Sequence, residues 1–275
     1  MPSAPPDQMY RTVPFRPSEL EHAYGPNVHI VSDPLCMMLL ARFSSSETIQ
    51  PEINRLLVEL YRTLVHDVVA AEFPRCETQT RTRMSVHTPL GVWHGETVDP
   101  SSMAVVVAVA RAGLVPSQIS FDYLTQFMAA GKVRQDHLIL ERQTDEHGRV
   151  TGAAALGSKI GGRIDDAIVL VPDPMGATGS TISRVLAQYG EKNRGVARKV
   201  IALHLIITPE YLRHVTTHHP QVVVYALRLD RGLSSPEVLA SKPGSRWAEE
   251  RGLNEHHYIV PGAGGVGEII NNAEV

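Results

Sequence analysis

The chain has 275 residues, 43% hydrophobic and 20% charged, with 26 basic against 29 acidic side chains and a net charge of −3. That length and apolar content suit one large α/β domain, or a domain with an elaborated rim, and argue against a disordered or fibrous chain. The balanced charge offers no basic excess for nucleic acid, and two distant cysteines, Cys36 and Cys76, offer neither a disulfide framework nor metal-ligand spacing.

Residues 1–27 are proline-rich and polar at their start and read as an extended N-terminal arm rather than a signal peptide. Residues 28–31 form a short strand, and Pro34 opens a helix over 35–43. Ser44, Ser45 and Ser46 turn the chain. The stripe Ile53, Leu56, Leu57, Leu60, Leu64 and Val68 predicts an amphipathic helix over 51–71, with Pro51 in its first turn. Strands are expected over 81–86 and 93–98 around a turn at Thr88-Pro89-Leu90-Gly91. Residues 103–110, the longest apolar stretch, are too short for a membrane span and read as a strand buried on both faces. A helix over 117–128, a strand over 133–141 and a turn at Asp145-Glu146-His147-Gly148 follow. A strand over 168–171 leads to helical spacing at Ile182, Val185 and Leu186. A strand over 199–207, a helix over 209–215 and a strand over 221–227 complete the alternation. Residues 234–252, with Pro236, Pro243 and Gly244, read as an inserted, partly helical loop. Alternating strands and helices predict a parallel sheet flanked by helices, in a single domain over 28–275.

The most informative stretch runs from 167 to 186. Its strand stops at Pro172-Asp173-Pro174, and the turn Gly176-Ala177-Thr178-Gly179-Ser180-Thr181 precedes a helix. Strand, small-residue loop and helix start aim backbone N–H groups at an anion, and the helix dipole favours negative charge there. An Asp at the strand end suits sugar hydroxyls or a metal, so the stretch reads as a binder of a phosphorylated sugar. It is not a P-loop, because no Lys follows the glycines, and its glycine spacing is not that of a dinucleotide fingerprint. A plain β–loop–α connection with Ser/Thr capping is the alternative.

Ligands of open α/β sheets sit at the carboxyl ends of strands. Three more segments carry chemistry there. Arg111-Ala112-Gly113-Leu114 pairs a cation with a Gly that permits a tight turn. Glu141-Arg142-Gln143-Thr144 puts another Arg after the next strand, which by itself also fits a surface Arg in a turn. Tyr258-Ile259-Val260-Pro261-Gly262-Ala263-Gly264 is a specific string near the C-terminus, whose Pro and Gly residues fix a path or make a plain turn. The 13 histidines are scattered, and the adjacent pairs His218-His219 and His256-His257 do not share a helix face.

The wording Asp173-Pro174-Met175-x-Ala177-Thr178-Gly179, with Arg111-Ala112-Gly113-Leu114 and Tyr258-Ile259-Val260-Pro261-Gly262-x-Gly264, resembles the uracil phosphoribosyltransferase family over 28–267. Asp33-Pro34-Leu35 and the turn at 88–91 resemble weaker landmarks of the same family. The resemblance implies an α/β fold of type I phosphoribosyltransferase kind, a parallel sheet flanked by helices, with a small hood over the base site built from the N- and C-terminal segments. It implies transfer of the phosphoribosyl group of phosphoribosyl diphosphate (PRPP) to uracil, giving UMP and diphosphate. It also implies Mg²⁺ carried mainly by the diphosphate with no dedicated protein metal ligands, a cytoplasmic homo-oligomer of at least dimer size, and no nucleic-acid or membrane partner.

Carried over position by position, Asp173 and Arg111 would be catalytic. Arg111, Gly113, Arg142, Asp173, Pro174, Met175, Ala177, Thr178, Gly179, Ser180 and Thr181 would bind PRPP. Tyr258, Ile259, Gly262, Gly264 and Gly265 would bind uracil. The chain departs from the family in places. Gly264-Gly265-Val266-Gly267-Glu268 stands where the family has G-D-A-G-D, so the first acid is gone and the second is lengthened. Leu40-Ala41-Arg42-Phe43-Ser44 stands for L-T-x-x-R, leaving the early Arg absent or displaced to Arg42. Gly176 replaces a Leu and Ser180 a Gly. These departures leave two alternatives open: a binder of PRPP or a nucleotide that regulates without turnover, and a transferase for another base.

Overall fold

The computed structural model describes residues 7–144 and 150–273, with side chains outside 141–155. The turn expected at 145–148 lies outside these residues. The chain begins with β1 (Val28–Ile30), α1 (Pro34–Phe43) and α2 (Glu52–Glu72). Asp33 starts α1 by accepting from the N–H groups of Leu35 at 2.7 Å and Cys36 at 3.2 Å, with Pro34 at the first position. The predicted stripe of α2 is the buried one; Leu57, Leu60 and Leu64 are fully covered.

A ribbon of β2 (Arg75–Arg81) and β3 (Val92–Val98) comes next, paired only with itself. The strand expected over 81–86 instead ends at Arg81, and residues Arg83–Val86 form a 3-10 turn. The reason is compositional: Arg-Cys-Glu-Thr-Gln-Thr-Arg has no apolar alternation, because neither face of the ribbon is buried in the core.

The main sheet then forms from β4 (Ala104–Ala110), α3 (Leu114–Leu124), β5 (Val133–Thr144), β6 (Val150–Lys159), β7 (Ile168–Pro172), the two-residue β8 (Met175–Gly176), α4 (Ser180–Glu191), β9 (Lys199–Ile207), α5 (Pro209–His218) and β10 (Val222–Leu229). Strand order is β1-β10-β9-β7-β4-β5-β6, parallel throughout except β6, with β8 extending the pairing onto β9. Helix α3 starts three residues earlier than the spacing suggested and ends at Leu124, because Gly113 turns the chain directly into it. The sequence reading missed β6, whose small residues Gly152, Ala153, Ala154, Ala155 and Gly157 carry no apolar alternation.

Successive residues of the central strands serve opposite faces. Val106 and Leu170 join the core under α2, while Val105, Val107, Val109, Val169 and Val171 join the core under α4 and α5. The last elements are α6 (Pro236–Leu239), within the inserted segment, and α7 (Val266–Asn271). Among the described residues, no helix is long and apolar enough to cross a membrane.

The described part of the N-terminal arm is tied down at Tyr24. Tyr24 is buried, its hydroxyl donates to Glu250 at 2.5 Å, and its ring meets Trp247 edge-on at 4.9 Å. Burial and the neighbouring Glu250 carboxylate push the Tyr24 phenol well above its usual range, so it stays a donor. Glu250 is itself fully buried and paired with Arg231 at 2.9 Å. The inserted segment therefore clasps the arm.

Candidate functional site

Strands β4 and β7 are neighbours in parallel register, Ala104 opposite Ile168, so their carboxyl ends deliver two loops side by side. Gly113 makes that approach possible. A Cβ there would lie 2.8 Å from the Val109 carbonyl and 2.9 Å from that of Pro172. The peptide bond joining Ala110 and Arg111 is cis.

The loop after β7 is fixed from below by the sheet. The Asp173 N–H donates to the Leu203 carbonyl at 3.0 Å, and the Asp173 carboxylate accepts from the Met175 N–H at 3.2 Å. Thr208 donates its hydroxyl to the Ala177 carbonyl at 2.7 Å and its N–H to the Gly176 carbonyl at 3.1 Å. Gly179 then takes φ +85°, a left-handed turn that favours glycine, and starts α4 with no side-chain cap. An uncapped helix start leaves N–H donors and the positive end of the dipole to an anion. The hydroxyls of Thr178 and Ser180 lie 3.0 Å apart on the same turn.

His204, inside β9, was not anticipated. It is buried, and desolvation holds its imidazole near a pKa of about 4, so the ring is neutral. Its Nδ1–H donates to the Asp173 carbonyl at 2.6 Å, and Nε2 accepts from the Tyr211 hydroxyl at 2.7 Å. The signal for it was a single polar residue within residues 200–207, where every neighbour is apolar.

The second half of the site comes from the chain terminus. The Gly262 N–H donates to Asp230 Oδ2 at 2.8 Å, and its carbonyl accepts from Arg228 Nη2 at 3.0 Å. Arg228 grips both oxygens of Asp230, at 2.7 and 2.8 Å. The Val260 N–H donates to Gly252 at 2.8 Å. His257, at φ +60°, has its Nδ1 buried without a hydrogen-bond partner among the described residues. Helix α7, missed in the sequence because it has only six residues, presents Glu268, whose Oε1 accepts from Arg111 Nη2 at 3.3 Å.

These loops enclose one cleft of about 570 Å³. Of the residues singled out from the sequence, Arg111, Gly113, Asp173, Met175, Ala177, Thr178, Gly179, Ser180, Thr181, Tyr258, Ile259, Gly264 and Gly265 line it. Pro174 does not, being buried with its carbonyl tied to the N–H groups of Leu205 and Ile206. Gly262 does not either, since Asp230 and Arg228 take both its backbone groups. Arg142 is on β5 opposite Ala153, and its side chain lies outside the described residues. Arg42 is at the end of α1, ion-paired with Glu52 and more than half exposed. Gly176, Ile182 and Glu268, noted in the sequence but not assigned to the site, also line it, and His204, Tyr211 and His257 join the lining unforeseen.

A family model described as uracil phosphoribosyltransferase matches residues 30–244 of the chain. The uracil phosphoribosyltransferase of Dictyoglomus thermophilum is 30% identical over 241 residues, covering 88% of this chain and 97% of that one. That of Caldanaerobacter subterraneus is 27% identical over 242 residues, covering 88% and 96%. Among solved structures, the AQ2163 protein from Aquifex aeolicus aligns with a TM-score of 0.68 at 21% identity, over 90% of this chain and 99% of that one, a likeness of fold.

Proposed function

The chain belongs to the uracil phosphoribosyltransferase family, with a type I phosphoribosyltransferase fold, and from that premise we propose that it transfers the phosphoribosyl group of PRPP to uracil, yielding UMP and diphosphate. The observation that carries this reading is the single cleft shared by an anion-ready turn, an arginine loop and a glycine-rich backbone path. Each suits one part of the reactants.

The turn from Ala177 to Thr181 and the start of α4 take the 5′-phosphate. Asp173 accepts from the ribose 2′- and 3′-hydroxyls. Arg111 and the backbone of Gly113 take the diphosphate, joined by Arg142. Ile259 and Gly264 read the base through main-chain groups beside Tyr258. In the transfer, the bond from the base nitrogen to C1′ forms as the bond from C1′ to the diphosphate oxygen breaks. The bonding pair leaves with diphosphate, and the N–H proton of the base is released to water. The C1′ centre passes through oxocarbenium character, so positioning and neutralisation of the leaving charge supply the catalysis.

Magnesium, when bound, adds charge neutralisation on the diphosphate. Among the described residues no group of three or more His, Cys, Asp or Glu side chains could hold a metal ion. We also propose a homo-oligomer in the cytoplasm, where the free thiols Cys36 and Cys76 stay reduced.

Formation of labelled UMP from labelled uracil, PRPP and Mg²⁺ tests the reaction, and a panel of other bases tests the acceptor. Asp173→Asn should lower turnover about 100-fold or more, as loss of one preorganised polar group in a closed site does. Unchanged turnover would remove Asp173 from its role. One observation favours a second reading, a ligand-binding regulator without turnover: Arg42, the displaced early arginine, is engaged by Glu52. Tight PRPP binding with no UMP formed would decide for it.

A further inference from the structure

Three observations converge on Glu268. Arg111 and Glu268, 157 residues apart in the chain, meet across the cleft at 3.3 Å. The start of α7 packs on the arginine loop, since a Cβ at Gly267 would lie 3.5 Å from the Ala112 Cβ. The Glu268 carboxylate also folds back over Gly265, where an added Cβ would lie 2.7 Å from Oε2. Gly265 has φ −78°, a backbone that any residue adopts. Its lack of a side chain therefore serves space rather than conformation, and what fills the space is the carboxylate of Glu268.

We propose that Glu268 sets the strength of the diphosphate site by competing with diphosphate for Arg111, and that Gly265 is the room that allows it. The inference rests on the reading of Arg111 as a diphosphate cation. In the empty cleft, Glu268 cancels the charge of Arg111. An entering diphosphate displaces the carboxylate and feels its repulsion nearby. Both partners are part exposed, 54% for Arg111 and 26% for Glu268, so the pair is weak and yields readily. A group that holds the site below its full strength also eases departure of the product diphosphate.

Calorimetric titration with inorganic diphosphate, without base or metal and at fixed ionic strength, tests this on the full chain. Glu268→Gln should bind diphosphate about fivefold more tightly, the upper range for a surface ion pair. Gly265→Ala should tighten binding about twofold with both charges intact, because its methyl group expels the carboxylate, a flexible side-chain end. Arg111→Ala should lose most binding, and adding Glu268→Gln to it should bring no gain. Equal or weaker affinity in Glu268→Gln, with Arg111→Ala still impaired, overturns the competition and leaves the diphosphate site standing. No binding by the unaltered chain overturns both. A purely structural role for Glu268 would not raise affinity.

Discussion

The two ends of the cleft are built differently. The phosphate end is one contiguous piece of chain, β7, its loop and α4, laid directly on the central strands. Its fastenings are backbone bonds to β9 and the Thr208 hydroxyl, which reaches the Ala177 carbonyl at 2.7 Å from 31 positions along the chain. The base end has little regular structure of its own. It is held by single bonds at separated points: Gly262 to Asp230 across 32 positions, Val260 to Gly252, and Leu253 bridged to Ile259. The carboxyl ends of the central strands β7 and β9 fix the phosphate end, whereas at the base end the Arg228–Asp230 ion pair holds both backbone groups of Gly262. The two ends should therefore fail differently.

The sharpest break is Asp230→Ala. Asp230 is buried, and its loss leaves Arg228 and the Gly262 N–H without their partner. Breaking such a pair from one side costs about 3–5 kcal/mol, visible in denaturant unfolding. If the two ends are independent, diphosphate affinity survives while the KM for uracil rises steeply. Equal damage to both would show that the base-end clamp also supports the phosphate end.

The next largest effect comes from the other end, through pH. His204 is neutral in the folded chain with a pKa near 4, against an ordinary value of 6.5. Between these values the unfolded chain gains a proton that the folded chain refuses. Its contribution is complete above about pH 6.5 and falls as the pH drops toward 4. The loss amounts to about 3 kcal/mol. Urea midpoints across that window should show the decline, and His204→Gln should flatten it. Because the protonated ring still holds the Asp173 carbonyl through Nδ1–H but its Nε2 can no longer accept from the Tyr211 hydroxyl, the disturbance falls beside the Asp173 turn, and the same acidification should loosen PRPP binding before it touches the base end.

This division also explains what the sequence disclosed. The phosphate end was legible because the segment that forms it is contiguous, although its supports on β9 and Thr208 are not: aliphatic strand, Asp173, the small turn and the helical spacing of Ile182, Val185 and Leu186 follow one another. The base end was legible only as a string. Its wording from Tyr258 to Gly264 stood out, but Asp230 and Arg228 are ordinary residues some thirty positions upstream, and only folding brings them to Gly262. Elements whose stability comes from neighbours were missed for the same reason: β6 lives on its pairing with β5, and α7 on its packing against the Arg111 loop. The β2–β3 ribbon misled the strand assignment because polar residues on both faces leave no period to read. His204 did carry a signal, a lone imidazole in an apolar strand, but not its tautomer or its partners.

The smallest expected effect separates support from contact at the phosphate end. Thr208 is fully buried; its hydroxyl donates to the Ala177 carbonyl and accepts from the Tyr211 N–H at 3.0 Å. It thus caps α5 and pins the turn at once, without being among the residues that line the cleft. Thr208→Val keeps the shape and removes both bonds, which should cost about 1–2 kcal/mol. If the sheet alone fixes the turn, PRPP affinity will stay within about twofold while the melting temperature drops. If the hydroxyl is the fastening, affinity will fall with stability, and Thr208→Ser, which keeps the bonds, will restore it. The base end should not register either change: uracil KM at saturating PRPP stays where it was, because none of its fastenings passes through Thr208. A rise in that KM would mean that α5, whose Glu210 accepts from the Gly252 N–H at 3.0 Å, couples the two halves mechanically.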